Sequence, residues 1–308
     1  MIRARLATLL ATLLLTGASL AAGAVEMGEI PLPGGIDSER LQLIDKGQRM
    51  RVYVSLLGYD DARGDVAVFP GEAGAALGSV ERMNRRFMDM ISATNRFQVF
   101  DDTDTGIRDA SDIVITGQLT RASQVLERFV RGRKAVTTTA LSIQIKNSLN
   151  GELLDQHEAI EVYGKNRGEG AWAMTETIAR SPEFKDSLAD DYAQAFSRTL
   201  EHAAAYFESS MRPLAKVIKA DANTVTLLGG RKHGLQAGDE MVIFKVGEAK
   251  AGGDAFRRGL TPLALVRCEG VGKEGSVCKV TKREIGVDAP QAGHYAVLSD
   301  ASLKYRFE

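Results

Sequence analysis

A chain of 308 residues with 44% hydrophobic and 26% charged residues is long enough for two ordinary domains and too apolar to be disordered. Its formal net charge of -1 argues against a surface built to neutralise phosphates, so nucleic acid is not an expected partner. None of the 4 histidines stands at ligand spacing from another histidine or a cysteine, and the chain contains no GxSxG, HExxH or Walker sequence.

The first residues read as an address. Arg3 and Arg5 form a positive start, Leu6 to Leu20 is apolar apart from small polar residues, and Ala22-Gly23-Ala24 has the small-x-small form of a cleavage site. This pattern predicts a secretory signal peptide over 1–24, cut after Ala24, and a periplasmic location. The alternative is an uncleaved anchor, for which the apolar core is short. There is no cysteine near the cleavage site to carry a lipid, and no later run is long and apolar enough to cross a bilayer as a helix.

Residues 25–48 contain Ile30-Pro-Leu-Pro-Gly-Gly35. Such a stretch cannot be helix or central strand, and it predicts an extended leader laid over the domain or over a neighbouring subunit. Arg51 to Leu57 alternates as a first strand does, and Asp65 to Phe69 is a second short candidate stopped by Pro70. After the glycine-rich 71–78, Ser79 can cap a helix. Val80, Met83, Phe87, Met90 and Ile91 mark its buried face, and Asn95 and Arg96 end it. Phe97 to Phe100 is the next strand.

The organising stretch runs from Ser111 to Tyr163. Ile113-Val114-Ile115 is a continuous β-branched run, as in a strand buried on both faces. Leu141, Ile143 and Ile145 alternate with smaller or polar residues, and Asn150-Gly151 favours a tight hairpin turn before a third run from Glu152 to Val162. Three neighbouring strands of a largely antiparallel sheet follow, with Leu126 to Lys134 as a short connection. Gly164 to Ser181, with the single tryptophan Trp172, is irregular. A long helix then spans Pro182 to Met211 along the stripe Leu188, Tyr192, Phe196, Leu200, Ala204, Phe207 and Met211. Met211-Arg-Pro213 stops it and sets a boundary between an α/β domain, 49–211, and a β-rich domain, 212–308. Short strands and glycine turns from Leu214 onward predict a small all-β barrel or sandwich.

Cys268 and Cys278 flank a hairpin tip. In an oxidising compartment they either pair, contributing about 2–3 kcal/mol by closing a short loop, or remain as small buried thiols. Arg128, Arg131, Arg133 and Lys134 form a basic knot at a strand connection. That knot is either a solvated turn or a contact for anionic headgroups or an acidic partner. Gly270 to Gly275 imitates a phosphate loop but lacks the following helix. Asp101 to Asp112 imitates a calcium loop but lacks the terminal glutamate and the flanking helices. His157 and His202 are expected in solvent. The residues imply no catalytic centre, cofactor or metal, and the chain is not expected to be an enzyme.

Two stretches resemble known families. The order strand, helix, Asn95-Arg-Phe-Gln-Val-Phe-Asp101, then Ala110-Ser-Asp-Ile-Val-Ile-Thr-Gly-Gln-Leu119, the Asn150-Gly-Glu-Leu-Leu154 hairpin and a long amphipathic helix resemble the curli secretion channel family and the amino-terminal domain of TolB. Val217 to Gly230, followed by Gly234-Leu-Gln-Ala-Gly-Asp239-Glu-Met-Val-Ile-Phe244, is similar to the carboxy-terminal domain of flagellar assembly protein T, a family that also carries a TolB-like middle domain. The resemblance implies an α+β chain: an α/β sandwich with a mostly antiparallel sheet covered by helices, then a small β domain. It implies a periplasmic assembly or scaffold protein at the outer membrane, of the flagellar outer-ring type, with envelope or ring proteins as partners and a homo-oligomer possible. An accessory of curli-like or polysaccharide secretion, or a regulator of a cell-wall synthase, is the alternative.

Overall fold

A computed structural model describes residues 25–34, 36, 49–55, 58–59, 80–101, 107–129, 132–166, 182–247 and 259–305. The signal-peptide region with Ala24, the candidate strand 65–69, Ser79, Arg131 and Trp172 lie outside them.

The first sheet has strand order β4-β2-β5-β6-β7, with β3 beside β5. Its strands are β2 (Met50–Val54), β3 (Gly58–Tyr59), β4 (Phe97–Phe100), β5 (Ile113–Phe129), β6 (Gly132–Asn147) and β7 (Leu153–Asn166). The sheet is mostly antiparallel, as expected, through the long β5-β6 and β6-β7 ladders, but it carries a parallel part the pattern did not suggest: β2 is parallel to β4 and to β5, and β3 is parallel to β5. Helix α1 (Val80–Ala93) lies between β2 and β4 in the chain, and a helical crossover returns the chain in the same direction. Only β5-β6-β7 is antiparallel, and that part has by far the longer strands.

Helix α2 (Pro182–Ser210) covers β6 and β7 and meets α1. The described part of its stripe, from Phe196 on, enters the core as the spacing requires: Leu200 and Phe207 are fully buried, against Phe97, Ile115, Leu141 and Ile143. Ile113, Val114 and Ile115 are all buried, as a run without polar alternation demands. Asn95 takes a left-handed φ of 58° directly after α1, a conformation that asparagine tolerates better than most residues.

Strands β8 (Leu214–Ala220), β9 (Thr224–Leu228), β10 (Glu240–Val246), β11 (Leu260–Val271), β12 (Gly275–Arg283) and β13 (Tyr295–Leu298) follow α2. They close into a barrel in the order β12-β11-β10-β13-β8-β9, because β9 pairs with β12 as well as with β8. Closure leaves the barrel wall without a free strand edge. Its interior holds Val217, Leu227, Met241, Ile243, Val266 and Val280.

The described part of the leader, 25–34 and 36, is laid over its own barrel. Strand β1 (Glu26–Met27) runs parallel to the far end of β12, and Ile30 and Ile36 are buried with Val242, Phe244 and Val297. The Ile30 amide donates to Glu284 Oε2 at 2.5 Å, and Lys282 Nζ donates to the Glu29 carbonyl at 2.8 Å.

Candidate functional site

The β5-β6-β7 ribbon is the most extended feature of the chain. Its strands have 17, 16 and 14 residues, about three times the usual length. The segment Leu126 to Lys134, expected as a short connection, is instead the end of one continuous hairpin. Leu126 opposes Ala135, and the ladder continues to Phe129 opposite Gly132. The cause is visible in the composition: 134–147 is rich in Val, Thr and Ile, so the strand propensity does not stop at the edge of the core.

The structure brings part of the basic knot together. Arg128 stands opposite Arg133 across the hairpin, and Lys134 stands opposite Glu127 on β5 and Asn166 on β7.

Strand β7 is the outer strand of this ribbon, and among the described residues it pairs only with β6. Its inward face is tied to α2. The His157 ring stacks on Tyr206 with centroids 3.9 Å apart, Ser210 Oγ donates to Asp155 Oδ2 at 3.1 Å, and Glu161 lies 3.7 Å from Arg198. His157 is therefore a packed residue, contrary to the expectation of a solvated one; burial lowers its pKa. His202 is 40% exposed, with Nδ1 3.9 Å from Glu161. Burial, helped by Asp155, pushes the Tyr206 phenol up to about 12. On the outward face, Ile160 and Val162 are 50% and 60% exposed.

A polar joint locks this domain to the barrel. Arg96, directly after the turn that ends α1, is 5% exposed. Its guanidinium donates to both carboxylate oxygens of Asp239, at 2.5 and 2.8 Å, and to the carbonyls of Gly234 and Ser302. Gln236 Nε2 donates to the Thr94 carbonyl at 2.8 Å. Gly234, with φ of +83°, approaches so closely that a β-carbon there would lie 2.6 Å from the Arg96 carbonyl oxygen. On the other side of the joint, Arg212 reaches the Leu298 carbonyl and Asp300, and the buried Glu208 accepts from the Lys304 and Tyr305 amides. The joint has no local signature in the sequence: its two halves lie within Asn95 to Asp101 and Gly234 to Phe244, more than 130 residues apart, and no pattern links them.

Cys268 and Cys278 face each other across β11 and β12 and form a disulfide. Gly270 to Gly275 is the turn of that hairpin, with strands on both sides. Of the calcium-like stretch, Asp112 is buried and its carboxylate accepts from Arg51, and a strand follows it. Among the described residues, no group of three or more His, Cys, Asp or Glu is placed to hold a metal ion. A cavity of about 170 Å³ lies between leader and barrel, lined by Glu29, Pro31, Glu240 and Lys282 among others, below the size of an ordinary small-molecule pocket. No described helix is long and apolar enough to cross a membrane.

No family model matches the chain, and no curated protein matches it. Solved structures of similar outline include a protein from Xanthomonas campestris, with 10% identity, 59% of this chain and 90% of that one covered, and a TM-score of 0.32. A PelC dodecamer from Paraburkholderia phytofirmans has 9% identity, covers 56% of this chain and 94% of its own, and has a TM-score of 0.26. Lipoprotein B from Nitrosomonas europaea has 14% identity, covers 60% and 96%, and has a TM-score of 0.29. Likenesses at this level carry no argument about what the chain does.

Proposed function

We propose that the chain is a non-catalytic scaffold of the bacterial envelope, working in the periplasm at the outer membrane by surface contact. The observation that carries this reading is the ribbon: three unusually long strands, with β7 paired only to β6 among the described residues and Ile160 and Val162 exposed on its outward face. An unpaired edge of this kind accepts a strand from a neighbour. The joint at Arg96 and Asp239 supports it further, because a scaffold must hold its contact surface at a fixed angle to the rest of the molecule.

Within this class the favoured role is an outer-ring assembly component of the flagellar basal body. It rests on the sequence resemblance of both domains to flagellar assembly protein T. Head-to-tail use of one face against another builds a ring, so a homo-oligomer fits the role. The test is deletion of the gene, followed by motility assays and electron microscopy of isolated basal bodies. Loss of the outer rings, restored by the full chain, is expected. Intact rings with normal swimming would remove the flagellar role, and a defect in fibre or polysaccharide export would move the scaffold to a secretion system.

A further inference from the structure

The barrel wall carries a second surface that the scaffold reading does not use. Ile218, Leu228 and Val277 are 51%, 39% and 50% exposed on β8, β9 and β12. Their strands are neighbours, and the register brings these residues together. Thr226 faces Val277 on β12 and Lys219 on β8, at the bulge that turns Ile218 outward; Leu228 faces Lys216 on β8 and Gly275 on β12. The result is an aliphatic patch around Thr226 on the outer wall of the barrel. Its rim carries more basic than acidic residues: Lys216 and Lys219 lie on one side, Lys279 opposite Arg267 lies on the other, and the exposed Glu269 sits at the β11 bulge beside Val277. Lys219 pairs with Asp221 at 3.0 Å.

We propose that this wall rests on an anionic lipid surface. Three features favour lipid over a protein partner. Lysine is depleted at protein interfaces, where aromatic residues supply the anchors, and this patch has lysines and no aromatic residue. Aliphatic side chains ringed by long cationic ones let the charges reach headgroups while the carbon atoms enter the boundary below them. The whole chain carries a net charge of -1, so the local excess of cations is a property of this face and not of the molecule. With three aliphatic side chains on a convex wall, insertion is shallow, and attraction between charges supplies most of the binding.

The test is sedimentation of the mature chain with vesicles of phosphatidylethanolamine and phosphatidylglycerol, against vesicles of phosphatidylcholine alone, at low and high salt. Binding only to the anionic vesicles, weakened by salt, is expected. The variant K216Q/K279Q/R267Q should partition on the order of a hundredfold more weakly at low salt, since each cation near such a surface is worth roughly a fivefold change. The pair I218S/V277S should lose binding with its circular dichroism unchanged. A third variant, R128Q/R133Q/K134Q, changes residues of the far end of the ribbon and should bind as the parent does. Absence of sedimentation with anionic vesicles overturns the proposal, as does full binding by the patch variants or loss of binding in the ribbon variant alone. If vesicle binding is absent while I218S/V277S abolishes a cross-link to an acidic envelope protein, the face belongs to that protein instead. None of these outcomes bears on whether the chain builds a ring, which the deletion strain decides separately.

Discussion

At the scale of the residue, Arg96 is the side chain on which most depends. Replacing it with alanine leaves Asp239 as a buried carboxylate without its guanidinium, a change that costs about 3–5 kcal/mol. R96A should therefore unfold at a clearly lower urea midpoint, and limited proteolysis should cut between helix α2 and strand β8 sooner than in the parent. Gly234→Ala attacks the same joint from the other side. The left-handed backbone alone costs about 1–2 kcal/mol with a β-carbon, and the clash with the Arg96 carbonyl adds to it. An unchanged melting temperature in G234A would show that the joint does not bear load.

Two histidines share another residue-scale role. His233 Nδ1 accepts from the Gly230 amide at 3.1 Å, and His294 Nδ1 accepts from the Gln291 amide at 3.0 Å. Burial lowers the pKa of both below the ordinary value. A group held low in the fold adds stability above its unfolded pKa of 6.5, and that stability is lost as pH falls through the folded value. Protonation turns each acceptor into a donor, so both turns lose a hydrogen bond. The barrel should weaken as pH drops below about 6.5, and a glutamine at 233, which still accepts but does not titrate, should reduce the slope of stability against pH. Tyr206 works in the opposite direction. Its phenol, raised to about 12, is kept neutral by the fold, so its contribution is intact below pH 10 and fades as pH rises toward the folded value. Y206F should flatten the loss of stability in that alkaline window, read as denaturation midpoints at pH 9 and 11.

At the scale of the element, the sequence was most legible where one local rule acts alone. The strand Thr224–Leu228 ends where alternation ends, and α2 stops just before Pro213. Asn150-Gly151 marks a real turn, though a wider one than a two-residue hairpin. Only Gly151 takes a positive φ, and the loop closes through the Asn147 amide on the Glu152 carbonyl and the Gly151 amide on the Asn147 carbonyl. The ribbon was less legible. Beyond Leu119 the sequence of β5 turns to Thr120-Arg-Ala-Ser-Gln, so the apolar alternation that identifies a strand fades while the backbone ladder continues. The parallel pairing of β2 depends on where α1 sends the chain, which no single segment encodes. The antiparallel β5-β6-β7 ladder was legible; the parallel pairing of β2 and β3, the ribbon length and the joint are long-range properties, and they were not. The disulfide allows one more prediction at this scale. Opening the loop between Cys268 and Cys278 by C268A/C278A should cost about 2–3 kcal/mol while leaving the barrel closed, because β12 is also held by β9.

At the scale of the whole molecule, the parts form a single mechanical argument. Two separate cores, one under the first sheet and one inside the barrel, are joined by buried hydrogen bonds and by the Lys304–Tyr305 segment, which returns to α2. The described part of the leader is bound to the barrel, and among the described residues β7 pairs only with β6. The scaffold we propose would use such a body to transmit position rather than chemistry. The most direct test is photo-cross-linking in the living envelope, with the reactive group placed in turn along the outward face of β7 at Ile160 and Val162. A discrete product at these two positions, containing an envelope protein or a second copy of the chain, is the predicted result. Uncross-linked monomer at both positions, together with turnover of a small molecule by the purified chain, would contradict it.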